Sequence, residues 1–296
     1  MSKKSGRLLP TTALGFVKAF ATEGKEHLPL AFINDVLVND VKKFRKKVKK
    51  LKVGNPYNII EVNKLSEEGI LKYLMNTELD LYCITDDGQS FCAELQNRRE
   101  EYYEERIFHN TILKYQANYA RIYDTKSDDD SQSKYASLMP TVSLNILGYD
   151  HFDTSEAIHF FRLYDVMNQK YPLKANRYIE IFFEFKKDDE RLSTNLKHWQ
   201  HFFQTGEALP EAPNYIKELS TMMEIANLTQ EERRVYEASL NAKYKRMNRE
   251  MYVEKRGEKK KAIEMAKAAL ENKLPTDLIS KLTGLPTNVI SSLETN

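Results

Sequence analysis

A hairpin-like stretch with an Asp-Asp-Gly turn constrains the fold of this chain more than any other feature. The segment LDLYCITDDGQSFCAELQ, residues 79–96, has the alternation and the turn residues of two short antiparallel strands. Acids are depleted inside strands, yet Asp80 and Glu94 fall on the two predicted strands rather than in the turn. The pairing of the two strands therefore decides what these acids can do.

The turn residues predict which strand positions face each other. A three-residue loop over 86–88 is favoured, because such loops commonly end with a glycine in the left-handed region. Counting back from this loop places Asp80 opposite Glu94. A two-residue turn at 87–88 would instead pair Asp80 with Leu95 and mix apolar with polar residues on both faces. We therefore predict the three-residue loop.

This register sorts the hairpin into two faces, since alternate residues of a strand share a face. One face is apolar throughout and holds Leu79, Leu81, Cys83, Phe91, Ala93 and Leu95. The other holds Glu78, Asp80, Tyr82, Ile84, Ser90, Cys92, Glu94 and Gln96. Two interpretations of the second face stay open. It is either a solvated polar surface, or it holds a divalent cation between two carboxylates.

Composition limits the class of protein without naming its partner. The 296 residues suffice for one large domain or a medium domain with an appendage, and 41% hydrophobic residues can fill a core. The 45 cations nearly cancel the 43 acids, so net charge does not indicate a ligand. No apolar run approaches the roughly 18 residues that span a bilayer, and the first residues lack an apolar signal core. We expect a cytoplasmic protein without a membrane segment.

The order of predicted elements separates a mixed region from a helical one. Helices are predicted over 11–40, 98–123 and 193–203, with helical spacing also in the basic run 41–52, and strands over 57–62, 139–149 and 177–187. We predict a domain over 1–205, a linker rich in turn formers over 206–213, and a charged helical region over 214–296. That last region ends in two short helices around Gly284.

These motifs together resemble the PD-(D/E)xK nuclease superfamily. More narrowly, the chain resembles the Rpn family of recombination-promoting nucleases, also called PD-(D/E)xK family transposases. The likeness rests on the strand with Asp80, the hairpin, the sequence Glu94-Leu95-Gln96, the following helix with Arg106, and the tail over 262–293. The resemblance implies an α/β fold with a restriction-endonuclease-like mixed sheet flanked by helices and a helical C-terminal extension.

The resemblance also implies an activity and a site. It points to a Mg²⁺-dependent DNA endonuclease, linked to recombination or mobile-element biology. Asp80 and Glu94 would be catalytic metal ligands, and the backbone carbonyl of Leu95 would add an oxygen ligand. Gln96, the third catalytic residue, stands at the usual Lys position and cannot supply a positive charge. The cation would then come from elsewhere, with three candidates: Arg99, Arg106 and Lys114.

A second departure lies at Ala13, where the family tends to have an acid. Two alternatives stay open: Glu23 or Glu26 compensates for it, or the metal site is weaker. The alternative to an endonuclease is a catalytically weak or inactive nuclease-fold protein that binds DNA or has a regulatory role. A third hypothesis is a protein-interaction module that uses the charged helical tail, including contacts in a homo-oligomer.

Basic residues give candidate DNA contacts. The run from 42 to 52 could neutralise backbone phosphates without reading sequence, or it could be a solvated helix face. The residues predicted to contact DNA are Lys42, Lys43, Arg45, Lys46, Lys47, Arg99, Arg106 and Lys114.

Overall fold

Among the residues that the computed structural model describes, six strands form one mixed sheet. The described residues are 6–40, 47–53, 80–85, 90–125, 140–171 and 177–294. In chain order the strands are β1 Leu51–Val53, β2 Asp80–Thr85, β3 Ser90–Gln96, β4 Thr141–Leu147, β5 Ile158–Arg162 and β6 Tyr178–Glu184. The sheet order is β1-β2-β3-β4-β6-β5, and β3, β4 and β6 are parallel while the outer pairs are antiparallel. The predicted α/β class with a restriction-endonuclease-like mixed sheet is confirmed.

Helices precede, interrupt and follow the sheet. They are α1 Ala13–Phe20, α2 His27–Val38, α3 Tyr103–Thr125, α4 Thr194–Thr205, α5 Asn214–Met222, α6 Gln230–Glu271, α7 Thr276–Thr283 and α8 Thr287–Glu294. The chain forms two compact units, Met1–Tyr236 and Glu237–Asn296. The predicted division at 206–213 stays a prediction.

Aromatic residues of α1, α2, α4 and β6 form the core on one face of the sheet. Phe32 is central, with ring centroids 5.4 Å from Phe20, 4.8 Å from Trp199, 5.5 Å from Phe203 and 6.4 Å from Phe183. Each of these five side chains is exposed by 1% or less. Such dense apolar burial is the main source of stability in a domain of this size.

A buried carboxylate connects three helices on this side of the sheet. Asp35 of α2 accepts hydrogen bonds from Asn195 Nδ2 at 2.9 Å, Trp199 Nε1 at 2.9 Å and Tyr215 Oη at 2.6 Å. Burial and the hydrogen bond to Asp35 raise the pKa of Tyr215. Because a buried acid must be hydrogen-bonded, these three donors fix α4 and α5 on α2.

The described end of the basic run, residues 47–52, is not helical, so the helix prediction is wrong for these residues. Val48 is held by the Asn34 side chain, which bonds its N–H at 2.8 Å and its carbonyl at 2.9 Å. Leu51–Val53 then pairs with β2, with Leu51 opposite Thr85. Pairing with the hairpin outweighs the local helical spacing, which is a weak determinant of structure. Residues 41–46 and the strand predicted at 57–62 lie outside the described residues.

The remaining strand and helix predictions for the first unit are largely confirmed. The strands predicted at 139–149 and 177–187 correspond to β4 and β6, and the helices predicted at 98–123 and 193–203 correspond to α3 and α4. Strand β5 was not predicted, because its sequence IHFFR lacks a polar alternation.

The second unit has a small core of its own. Its buried residues are Ala266, Ile279, Leu285 and Ile290. Gly284 follows α7 with φ 69° and donates its N–H to Ser280 at 2.9 Å, which is a common way to end a helix. The predicted pair of short helices around this glycine is confirmed.

Candidate active site

The register of the β2–β3 hairpin agrees with the prediction. Asp80 lies opposite Glu94, and Cys83 lies opposite Phe91. The described residues of the predicted apolar face, Leu81, Cys83, Phe91, Ala93 and Leu95, are all buried. The turn residues 86–89 lie outside the described part of the chain. The two acids of the hairpin are therefore direct neighbours across a strand pair.

The polar face of the hairpin is buried as well. Ser90 is 0% exposed, Cys92 2% and Glu94 7%. Helix α3 covers this face, since Tyr103 and Ile107 pack on apolar residues of β4 and β6. The interpretation of a solvated surface is therefore wrong for these β3 residues. A carboxylate in such surroundings needs a compensating partner.

Arg106 of α3 provides a partner for Glu94. Its Nη2 lies 2.8 Å from Glu94 Oε1 and 3.3 Å from Glu100 Oε2. Its guanidinium also lies 5.4 Å from the centre of the Tyr103 ring, within the range of a cation–π contact. Arg106 is in the first turn of α3, so the start of this helix determines where the cation sits. The fold thus places one of the three predicted cations on the predicted catalytic acid.

Several buried polar atoms near Glu94 have no hydrogen-bond partner among the described residues. They are Gln96 Nε2, Tyr103 Oη, Asn110 Nδ2, Asn145 Oδ1 and Tyr149 Oη. Gln96 follows Glu94 on the same face of β3, and Asn145 lies opposite Glu94 on β4. Each unsatisfied buried group destabilises a fold by about 1–3 kcal/mol. Such a concentration indicates a place built for a ligand or ordered water.

The two tyrosines of this cluster keep their protons. Burial raises the pKa of Tyr103, and the nearby charge of Glu94 raises it further. Burial likewise raises the pKa of Tyr149 to about 12, with a contribution from Glu100. Both hydroxyls are therefore hydrogen-bond donors at neutral pH.

The beginning of α1 lies beside the end of β3. Asn97 Nδ2 donates to the carbonyl of Thr11 at 2.6 Å. Gly148, just after β4, donates its N–H to the carbonyl of Gln96 at 2.9 Å. A Cβ at Gly148 would lie 2.6 Å from Asn97 Oδ1, so a larger residue there would displace the Asn97 side chain. Ala13, the first residue of α1, is thus at the end of the helix nearest the site.

Glu23 and Glu26 both follow the end of α1 that is farther from Ala13. Helix α1 has 8 residues, so its far end is about 12 Å from its beginning. Glu23 follows that far end and is exposed. Glu26 Oε1 accepts from the N–H of Gly24 at 3.2 Å. Compensation by one of these two acids stays a prediction.

The other predicted residues vary in their relation to Glu94. The side chain of Leu95 is buried on the apolar face, so its backbone is the part that could serve the site. Arg99 donates to the carbonyl of Asp150, and its guanidinium lies 6.0 Å from the Tyr149 ring centre. Lys114 lies two turns beyond Arg106 on α3, about 12 Å along the helix.

The predicted basic cluster is largely beyond what the structure describes. Lys47 is exposed just before β1. Four members lie outside the described residues: Lys42, Lys43, Arg45 and Lys46.

Comparison with known families decides what kind of domain this is. A family model described as PD-(D/E)XK nuclease family transposase matches residues 10–256, which include the hairpin, α3 and the whole sheet. The chain belongs to this family. No curated protein and no solved structure matches the sequence. Membership of a PD-(D/E)XK nuclease family supports a nuclease-like role, with DNA as the implied substrate.

PD-(D/E)XK nucleases generally use divalent metal ions, typically Mg²⁺. The described residues contain no group of three or more His, Cys, Asp or Glu side chains that could hold a metal. Asp80 and Glu94 do supply two carboxylates at opposed positions, and Asn145 supplies a buried amide oxygen without a partner in the described chain. Oxygen donors of this kind fit Mg²⁺, which is usually held by one or two carboxylates.

Within the described ranges no helix is long and apolar enough to cross a membrane.

The sequence-based prediction did not include Asn145, Tyr103 and Tyr149, which each have a buried polar atom without a partner in the described chain. Asn145 could have been found, because it places an amide in a predicted buried strand, β4, whose other polar residues are only Thr141 and Ser143. Tyr103 stands at helical spacing with Ile107, as a core residue would, and only the fold shows that the charge of Glu94 acts on its hydroxyl.

Proposed function

We propose that this protein is a divalent-metal-dependent DNA endonuclease that hydrolyses phosphodiester bonds, acting in recombination or mobile-element biology. The observation that carries the proposal is the position of Glu94. It is 7% exposed, lies opposite Asp80, and forms a 2.8 Å ion pair with Arg106. Two acids placed opposite each other repel, so such an arrangement makes physical sense when a cation binds between them.

In this proposal Asp80 and Glu94 hold Mg²⁺, and the carbonyl of Leu95 adds an oxygen ligand. When bound, Mg²⁺ supplies a lowered pKa for a coordinated water and acts as a Lewis acid for the phosphate. Gln96 orients the attacking water through its side-chain oxygen and donates from Nε2 to a phosphate oxygen. The buried, unpartnered Nε2 within the described chain supports this role.

In this proposal Arg106 supplies the positive charge that the usual lysine of the motif would supply. The usual Lys of the motif stabilises charge that develops on the phosphate, and neutral Gln96 cannot do so. The planar guanidinium can form paired hydrogen bonds to either a carboxylate or a phosphate. Arg106 of α3 can therefore pair with Glu94 and also bind a phosphate oxygen.

The remaining basic residues are proposed to position the duplex. Arg99 is near Tyr149 at the end of the sheet, Lys114 lies farther along α3, and Lys47 precedes β1. Contacts of this kind fix the orientation of DNA without reading its sequence. The same role is proposed for Lys42, Lys43, Arg45 and Lys46.

Cleavage of supercoiled plasmid DNA with and without Mg²⁺ tests the proposal. The wild-type chain should nick or linearise the plasmid when Mg²⁺ is present, and Asp80→Asn should abolish this activity. Asp153→Asn, which changes an exposed acid in a loop, is the matched control and should leave cleavage unchanged. Equal cleavage by wild type and Asp80→Asn would refute the assignment.

A second candidate is a DNA-binding protein on the same scaffold that has lost catalysis. The neutral Gln96 at the usual Lys position favours it. This candidate predicts DNA binding that weakens steeply with salt, because phosphate contacts release counterions, and no cleavage at any Mg²⁺ concentration. Gain of cleavage in Gln96→Lys from an inactive wild type would support this candidate over the first.

A further inference from the structure

We propose that Asn145 is a further metal ligand of the site and supplies a neutral oxygen from β4. This inference rests on the proposed function, since it concerns the same divalent cation. It adds a residue that lies outside the Asp80 and Glu94-Leu95-Gln96 motif.

The sheet places Asn145 in one row with the two acids. In the described sheet Asp80 lies opposite Glu94 on β3, and Glu94 lies opposite Asn145 on β4. Residues opposite each other share a face, and neighbouring strands are about 4.8 Å apart. The positions of Asp80, Glu94 and Asn145 therefore follow one another across three neighbouring strands.

The side-chain nitrogen of Asn145 is hydrogen-bonded, whereas its side-chain oxygen has no partner among the described residues. The residue is 0% exposed, and its Nδ2 donates to the carbonyl of Ile181 on β6 at 3.2 Å. Since a carbonyl only accepts, this bond fixes which end of the amide carries the oxygen. Oδ1 then has no hydrogen-bond partner among the described residues. The oxygen is left for a partner on the side of β3 or of α3.

The surroundings favour a cation as that partner. Glu94 and Asn145 both carry side-chain oxygens that can accept hydrogen bonds or bind a cation. Asparagine oxygen acts as a Mg²⁺ ligand beside aspartate in phosphoryl-transfer enzymes. Ala13 contributes no acid at the α1 end of the site, so a neutral oxygen from β4 completes the set.

A purely structural role gives a different result on substitution. If Oδ1 only accepted from a buried hydroxyl such as Tyr103 Oη, its loss would lower the free energy of unfolding. The affinity for metal would then stay the same. Metal binding measured without DNA therefore separates the two roles.

Mn²⁺ binding to the full chain, followed by electron paramagnetic resonance of the free ion, tests the assignment. Asn145→Ala should raise the Kd for Mn²⁺ by about 10- to 100-fold, as losses around a metal site do. Asn145→Asp keeps an oxygen and adds charge, so it should bind at least as tightly as wild type. Ser143→Ala, buried two residues earlier on β4, is the control and should bind like wild type.

The outcomes separate this inference from the proposed function. If Glu94→Gln loses Mn²⁺ binding while Asn145→Ala keeps the wild-type Kd, the Asn145 assignment fails and the metal site stands. If wild type does not bind Mn²⁺, both fail. Should thermal unfolding show that Asn145→Ala does not fold, Asn145→Asp decides, and weaker binding than wild type by that variant overturns the assignment.

Discussion

The two faces of the central sheet are buried to a similar degree but have opposite chemistry. On the face covered by α1, α2 and α4, aromatic side chains such as Phe32 and Trp199 contact one another. On the face covered by α3, Glu94 and Asn145 are 7% and 0% exposed and lie among polar atoms. Burial by itself therefore does not distinguish the stabilising part of this protein from its candidate site.

The two faces differ in whether their buried polar groups are hydrogen-bonded. Asp35 on the aromatic side accepts three hydrogen bonds, whereas Gln96 and Asn145 each keep an atom without a partner in the described chain. His198 Nδ1 is an exception on the aromatic side. A domain that leaves polar atoms unsatisfied on one face gives up stability there, and function is the usual reason.

The largest expected effect is a loss of catalysis when Glu94, on the face covered by α3, is replaced. Glu94→Gln removes the charge that holds the metal but keeps the shape, so plasmid cleavage should fall on the order of 10³-fold, about 4 kcal/mol. Because Glu94 is buried and paired with Arg106, the free energy of unfolding in urea should fall by about 1–3 kcal/mol, less than the loss in catalysis. Glu190→Gln, at an exposed position, serves as the control. Full activity of Glu94→Gln would show that the face covered by α3 is not the catalytic face.

The next effect is on stability from the aromatic side. Phe32→Ala should lower the free energy of unfolding by about 3–5 kcal/mol, because it leaves a cavity among four other rings. Urea unfolding followed by Trp199 fluorescence measures this. Phe108→Ala, at a residue 54% exposed on α3, should lose less than about 1 kcal/mol. A similar loss in both variants would contradict the assignment of the stabilising core.

Arg106 should show a smaller and mainly catalytic effect. Arg106→Ala should reduce kcat by about 10- to 100-fold, because a cation that stabilises developing charge is removed. Arg106→Lys should retain part of the activity, since it keeps the charge but not the planar geometry. Arg106→Ala leaves the buried Glu94 without this ion-pair partner, so the free energy of unfolding should fall as well. A larger loss of kcat in Arg99→Ala than in Arg106→Ala would move the cation assignment to Arg99.

The smallest effect concerns alkaline pH on the α3 side. Burial, followed by the charge of Glu100, raises the pKa of Tyr149 from 10.0 to about 12. Its contribution to stability is therefore fully present below pH 10 and is lost as the pH rises towards 12. Unfolding curves between pH 9 and 12 should fall less steeply for Tyr149→Phe than for wild type. Parallel curves would show that this hydroxyl is not held in the buried cluster.

Much of the fold was accessible from sequence pattern. The hairpin register followed from the turn residues and from an apolar set that only one pairing keeps on a single face, and the structure confirms Asp80 opposite Glu94. Residues 47–53 were misassigned because pairing with β2 decides their conformation, and β2 follows them in the sequence. The spacing of apolar residues within a segment does not reveal a strand partner that lies about 30 residues later in the sequence.

The sequence by itself determined the strand pairing, the order of helices and strands, and membership of the nuclease family through the motif around Asp80 and Glu94. Those properties depend on turn chemistry and periodicity, which are local. Tertiary structure alone decided that α3 covers the acidic face, that Arg106 pairs with Glu94, and that Asn145 completes the row. The physical reason is that each of these contacts joins residues from separate elements, and packing rather than spacing brings them together.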